Sequence, residues 1–175
     1  MKKRLYQIVA ETLGEKFLKG ATVLDVGCAR YVESIALRDR GAIVTTLDVC
    51  KREEPPEKIS FILSDFLEWQ SDQIFDMVYL SNVALFMPNE KVFKKIADIK
   101  PKIIAVRTMY DYPEPNWDAS ELKPLYFTQP VDWTGYFEPL GFKTVYTKQY
   151  EEVSPDMRGR VRTFRVTEYI GMRMN

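Results

Sequence analysis

Histidine is absent from all 175 residues, which removes the side chain that most often moves protons near neutral pH and most transition-metal sites with it. Two cysteines, Cys28 and Cys50, make neither a disulfide framework nor a zinc set. No apolar run approaches the roughly 20 residues that a helix needs to cross a bilayer. Charge of one sign is missing as well: 25 Lys and Arg stand against 25 Asp and Glu, so a partner that is simply a polyanion is disfavoured and any basic site must be local. Lys2, Lys3 and Arg4 open the chain, but Gln7, Glu11 and Glu15 interrupt what would have to be an apolar signal segment, and a cytoplasmic location is expected. What the chain does have is core material. A hydrophobic content of 46% with 13% aromatics over this length predicts a single domain spanning residues 1–175.

Hydrophobic spacing divides the chain. Leu5, Ile8, Val9, Leu13, Phe17 and Leu18 recur at helical intervals before Lys19-Gly20, predicting one N-terminal helix within residues 1–20. Ala21 to Val26 is short, β-branched and followed by Gly27, which reads as a buried strand feeding a tight turn. A helix follows with Val32, Ile35 and Ala36 on its face and Gly41 as terminator. Strands are expected at Ala42–Val49, Ile59–Leu63, Phe75–Leu80 and Lys102–Val106, with a polar Pro55-Pro56 loop inside the set. Asn89 is the expected N-cap of a helix that packs Val92, Phe93, Ile96 and Ala97, and Pro101 stops it. Residues 110–130 break the pattern with Pro113, Pro115, Pro124 and Pro130 among aromatics. A segment of that length without regular structure reads either as a cover over a binding site or as an aromatic cap on the core. A short helix at Asp132–Glu138 and strands at Phe142–Thr147 and about Val161–Met172 complete the chain. Parallel neighbours need crossovers, so the order of elements predicts an α/β domain with a mostly parallel, doubly wound sheet covered on both faces.

In such sheets ligands bind beyond the carboxyl ends of the strands, and three successive exits carry an acid. The first is Asp25-Val26-Gly27-Cys28-Ala29-Arg30-Tyr31, a strand end, a glycine turn and a helix start whose backbone N–H groups face a ligand. The second strand leaves through Asp48, at the spacing where a carboxylate accepts the hydroxyls of a ribose. The third leaves through Asp65-Phe66, an acceptor for an exocyclic amine beside a ring that could stack a flat base. Each acid alone has an ordinary reading as a turn or cap residue. Together they offer what the parts of an adenosine derivative require. A dinucleotide fingerprint would place glycines at 27, 29 and 32, where the chain has Gly27, Ala29 and Val32, so that reading fits poorly.

The run Val23-Leu24-Asp25-Val26-Gly27-Cys28-Ala29 resembles the first motif of class I S-adenosylmethionine-dependent methyltransferases. Ile62-Leu63-Ser64-Asp65-Phe66 resembles the adenine-contacting segment of that family, and Phe75-Asp76-Met77-Val78-Tyr79-Leu80-Ser81-Asn82 resembles its fourth strand. Phe137-Glu138-Pro139-Leu140-Gly141-Phe142 resembles the turn before its terminal antiparallel pair. The resemblance implies a seven-stranded sheet with an antiparallel C-terminal strand. It also implies S-adenosylmethionine as cofactor, held by Asp25, Gly27, Ala29, Asp48, Asp65, Phe66, Ser81 and Asn82. The family has glycines where this chain has Ala29 and Tyr31, and a ring at 31 is expected to narrow the space for the donor's methionine moiety.

The resulting expectation is a methyltransferase whose acceptor is a small molecule rather than RNA or a protein. Tyr110 and Asp111, at the exit of the fifth strand, are the candidates to accept a proton or orient the acceptor. The acids Asp111, Glu114, Asp118 and Glu121 point to a neutral or cationic one. Arg158, Arg160, Arg162 and Arg165 read as a solvated strand face, since no aromatic repeat accompanies them, and the two cysteines read as packing residues. The alternative from another class is a non-catalytic binding or regulatory subunit whose cofactor pocket has decayed.

Overall fold

The computed structural model describes residues 3–111, 131–155, 159 and 161–174. The chain opens with α1 (Leu5–Leu13) and α2 (Glu15–Leu18). The single N-terminal helix expected from the spacing is therefore broken, because Gly14 adopts φ +83° and turns the chain, a conformation that Gly reaches without a Cβ penalty. Next come β1 (Thr22–Val26), α3 (Val32–Arg38), β2 (Ile43–Asp48), β3 (Ile59–Leu63) and β4 (Met77–Ser81). A 3₁₀ turn at Ala84–Phe86 leads into α4 (Asn89–Ile99), then β5 (Ile103–Asp111). After residue 130 the chain forms α5 (Trp133–Phe137), a 3₁₀ turn at Glu138–Leu140, β6 (Phe142–Pro155) and β7 (Val161–Arg173).

The strands make one sheet in the order β3-β2-β1-β4-β5-β7-β6. The first five are parallel, and β7 runs antiparallel to both of its neighbours. The order reverses at β1, so β1 and β4 flank the switch point where an open parallel sheet exposes a ligand crevice. Only the β1–β2 and β4–β5 crossovers carry a regular helix; the chain from β2 through β3 to β4 crosses in loops and turns.

Period-two alternation sends residues to opposite faces. One face carries Leu24, Val26, Val78, Leu80, Ile104 and Val106, packed with Val92 and Ile96 of α4 and Trp133 and Phe137 of α5. The other carries Val23, Met77, Tyr79, Ile103 and Ala105 against Leu5, Ile8 and Val9 of α1 and Leu37 of α3. Three local expectations change. The inward residues of α3 are Ser34 and Leu37, while Val32 is exposed. Pro88, not Asn89, precedes the first turn of α4. β5 and β6 run well past the apolar cores that marked them, since an antiparallel ribbon continues through backbone pairing after the hydrophobic signal has ended. The short helix expected at Asp132–Glu138 forms as α5, capped by Asp132, whose Oδ1 accepts from the Thr134 N–H at 3.1 Å.

Candidate functional site

The turn after β1 is built on alternating left-handed residues: Gly27 at φ +73°, Ala29 at +48° and Tyr31 at +59°. A Cβ on Gly27 would lie 2.5 Å from a side-chain carbon of Val83, so glycine is required there by close approach as well as by φ. That contact joins the β1 exit to the β4 exit. Ala29 and Tyr31 lack the freedom of glycine yet hold the same backbone, at a cost of about 1–2 kcal/mol each. The expectation that Tyr31 narrows the donor space changes accordingly. Its side chain is 1% exposed and packs in the core edge-on against Phe61, with the hydroxyl donating to the Glu53 carbonyl at 3.3 Å.

Asp48 ends β2 and clamps the turn. Its Oδ2 accepts from the Ala29 N–H at 3.1 Å and its Oδ1 from the Cys50 N–H at 3.0 Å. Asp65 stays exposed, its Oδ1 accepting from the Leu67 N–H at 2.8 Å. Phe66 is 2% exposed inside the core, which takes its ring away from the base-stacking role expected of it. Exposed apolar surface at these exits comes instead from Val49 and Leu63. These two were missed because an isolated aliphatic residue at a strand end carries no distinguishing pattern.

Asp25 is the most enclosed acid of the three. It is 3% exposed, its Oδ2 accepts from the Ser34 hydroxyl at 2.5 Å, and its register partners are Thr46 on β2 and Tyr79 on β4. Burial raises its carboxyl to about 7; the Ser34 hydrogen bond opposes the rise, and the Glu33 and Asp48 charges add to it. The same burial, with Asp25 beside it, pushes the Cys28 thiol up to about 12, so Cys28 holds no thiolate at neutral pH. Glu33 accepts from the Tyr79 hydroxyl. Ser34 and Glu33 join the site only through the docking of α3 on the sheet, and nothing in their spacing announces it.

At the fourth exit, Ser81 pairs in register with Arg107. Asn82 takes φ +58° and donates its N–H to the Arg107 carbonyl at 2.7 Å. Its Oδ1 is buried without a hydrogen bond among the described residues, as are the hydroxyls of Thr108 and Thr167, which are direct partners across β5 and β7. No local sequence pattern marks Arg107, Thr108, Thr167 or Glu168. Tyr110 and Asp111 end β5, but their side chains, like residues 112–130 of the cover expected over 110–130, lie outside the described residues. Of the four clustered arginines, Arg162 and Arg165 sit on β7, and Arg158 and Arg160 lie outside the described set. Among the described residues no group of three His, Cys, Asp or Glu could hold a metal, and no helix is long and apolar enough to cross a membrane.

The sheet order, its switch point and the antiparallel seventh strand define the class I methyltransferase fold. The chain superposes on TehB from Haemophilus influenzae with a TM-score of 0.69 at 16% identity, covering 94% of this chain and 62% of that one. It superposes on the 1,6-didemethyltoxoflavin-N1-methyltransferase of Burkholderia thailandensis, solved with 1,6-didemethyltoxoflavin and S-adenosylhomocysteine, with a TM-score of 0.65 at 16% identity. That match covers 98% of this chain and 77% of the other. By sequence it is 31% identical over 91 residues to the cypemycin N-terminal methyltransferase of a Streptomyces species. The match takes in 48% of this chain and spans 37% of that curated relative. No family model matches the chain.

Proposed function

We propose that the protein is an S-adenosylmethionine-dependent methyltransferase with a small-molecule acceptor that is neutral or cationic. The observation that carries this reading is the convergence of Asp25, Asp48 and Asp65 on three neighbouring exits around the left-handed turn. In this reading Asp48 receives the ribose hydroxyls, Asp65 the adenine amine, and the turn from Gly27 to Tyr31 the methionine moiety. Asn82 Oδ1 and Ser81 border the methionine end from β4. A bound donor would supply a methyl carbon already activated by its sulfonium. The protein then has to align the acceptor in line, exclude water and provide a path for the acceptor's proton. We assign that path to Tyr110 and Asp111. The absence of histidine is no obstacle, because a carboxylate or phenol suffices to hold such a proton.

The acceptor class draws support from the relatives, two of which are named for nitrogen or N-terminal methylation. Against the reading of a decayed, non-catalytic pocket stand the left-handed φ that Ala29 and Tyr31 adopt in place of glycine and the burial of the Tyr31 ring in the core. Calorimetry with S-adenosylmethionine, S-adenosylhomocysteine and NAD tests the reading: the first two should bind and NAD should not. Asp48→Ala should weaken S-adenosylhomocysteine binding by about 1.5–3 kcal/mol, the worth of charge-assisted hydrogen bonds to the ribose. Unchanged affinity in a folded variant would remove Asp48 from the site.

A further inference from the structure

Asp25 is a buried carboxyl with no cation beside it. Among the described residues its one hydrogen bond is from the Ser34 hydroxyl to Oδ2, and it makes no ion pair. The groups that face it are uncharged or acidic: Glu33 and Ser34 from α3, Thr46 and Asp48 from β2, Cys28 from the turn and Tyr79 from β4. The cations of this region are committed elsewhere. Arg107, on the same sheet face two strands away, is held by Glu152 at 3.2 Å and Glu168 at 3.8 Å, and Arg30 of the turn lies 3.9 Å from Glu53. A carboxylate in such surroundings lacks a counter-charge, so the neutral acid competes with it near pH 7.

We propose that Asp25 reads the positive charge of the donor by exchanging a proton for it: the free protein carries a proton there, and a cationic ligand group seated at the turn displaces it. This rests on the donor reading above and adds a specificity determinant to it. The step is a simple acid dissociation, in which the carboxyl O–H breaks, the proton leaves to buffer, and the carboxylate charge faces the incoming cation. That cation is the ammonium common to S-adenosylmethionine and S-adenosylhomocysteine, or the sulfonium that the first alone carries. A nucleoside with neither, 5′-methylthioadenosine, should occupy the pocket without displacing the proton.

Titration calorimetry at pH 7 in two buffers of different ionisation enthalpy measures the protons released per ligand bound. With a carboxyl poised at about 7, S-adenosylmethionine should release about half a proton, and methylthioadenosine none. S-adenosylhomocysteine should release as much if the ammonium is the cation sensed and none if it is the sulfonium. Asp25→Asn keeps the size of the side chain and should abolish the release, leaving donor affinity level between pH 6 and 8. Ser34→Ala, which removes the donor that favours the ionised form, should increase the release. Donor binding with no net proton release, release by methylthioadenosine equal to that by the donor, or a release that survives in Asp25→Asn overturns the proposal and leaves the donor reading standing. If none of the three nucleosides binds, the donor reading falls and this inference falls with it.

Discussion

Residues 29 and 31 occupy the same kind of backbone conformation for opposite reasons. Ala29 is exposed, and the one bond set against its left-handed strain, from its N–H to Asp48, is a backbone bond that glycine keeps, so Ala29→Gly should raise stability by up to about 1 kcal/mol in a urea titration. Tyr31 offsets its strain by burying an aromatic ring. Tyr31→Gly should therefore destabilise by about 2–4 kcal/mol, the loss of a core aromatic less the relieved backbone. Equal effects at the two sites would show that the ring contributes nothing. Asp25 adds a pH dependence. Its native carboxyl is raised from 3.8 to about 7, so the folded protein holds a proton that the unfolded chain releases between those values. Stability from this group is therefore complete below about pH 4 and lost as pH rises to about 7. Asp25→Asn should match the parent at pH 4 and exceed it at pH 8, by at most about 4 kcal/mol. Chemical denaturation at the two pH values reads the difference directly, and equal curves at pH 8 would mean that the carboxylate is solvated.

Elements bring together groups that no single segment specifies. β5 and β7 set Thr108 and Thr167 opposite each other, both buried and both without a hydroxyl hydrogen-bond partner among the described residues. A valine would fill nearly the same shape without a hydroxyl to desolvate. Thr108→Val and Thr167→Val should each leave the fold unchanged or raise stability by about 1 kcal/mol, measurable as a shift in Tm. A loss of more than 1 kcal/mol would mean that the hydroxyls are hydrogen-bonded in solution. The antiparallel pair of β6 and β7 carries a register shift between Thr144 and Tyr146. It also carries Gly171, where a Cβ would meet the Tyr169 hydroxyl at 2.4 Å and its ring at 2.7 Å. Glycine here makes room for a neighbouring aromatic rather than for an unusual φ.

Across the whole molecule, the Arg107 cluster ties the N-terminal segment to the C-terminal ribbon. The guanidinium donates to the Lys3 carbonyl at 3.4 Å, and it pairs with Glu152 of β6 and Glu168 of β7. Glu168 in turn accepts from Tyr146 at 3.1 Å and Tyr150 at 2.7 Å, contacts that with burial raise both phenols above their ordinary value. Removing the cation leaves Glu168 buried among donors too few to replace it. Arg107→Met should cost about 3–5 kcal/mol, and Glu168→Gln in the same chain should recover part of that loss. A fully additive double variant in a denaturant cycle would show that the two side chains are not coupled.

Local pattern alone determined the α/β class, all seven strand positions and the three acids at successive exits. Buried strands and their glycine stops leave a signal within a few residues, and an exit acid is recognised by where its strand ends. The resemblance then supplied the antiparallel seventh strand. Tertiary structure decided the rest. Whether Tyr31 obstructs a ligand or fills the core depends on which way its ring turns from a left-handed residue, and Phe66 likewise turned inward. Val32 was expected inside, but the packing of α3 chose Ser34 and thereby put a hydroxyl on Asp25. The Arg107 cluster joins residues that are 45 and 61 positions apart in the chain. Such contacts are set by strand order and register, which act over the whole sheet, and a one-residue slip in the register of a strand would turn its side chains to the other face.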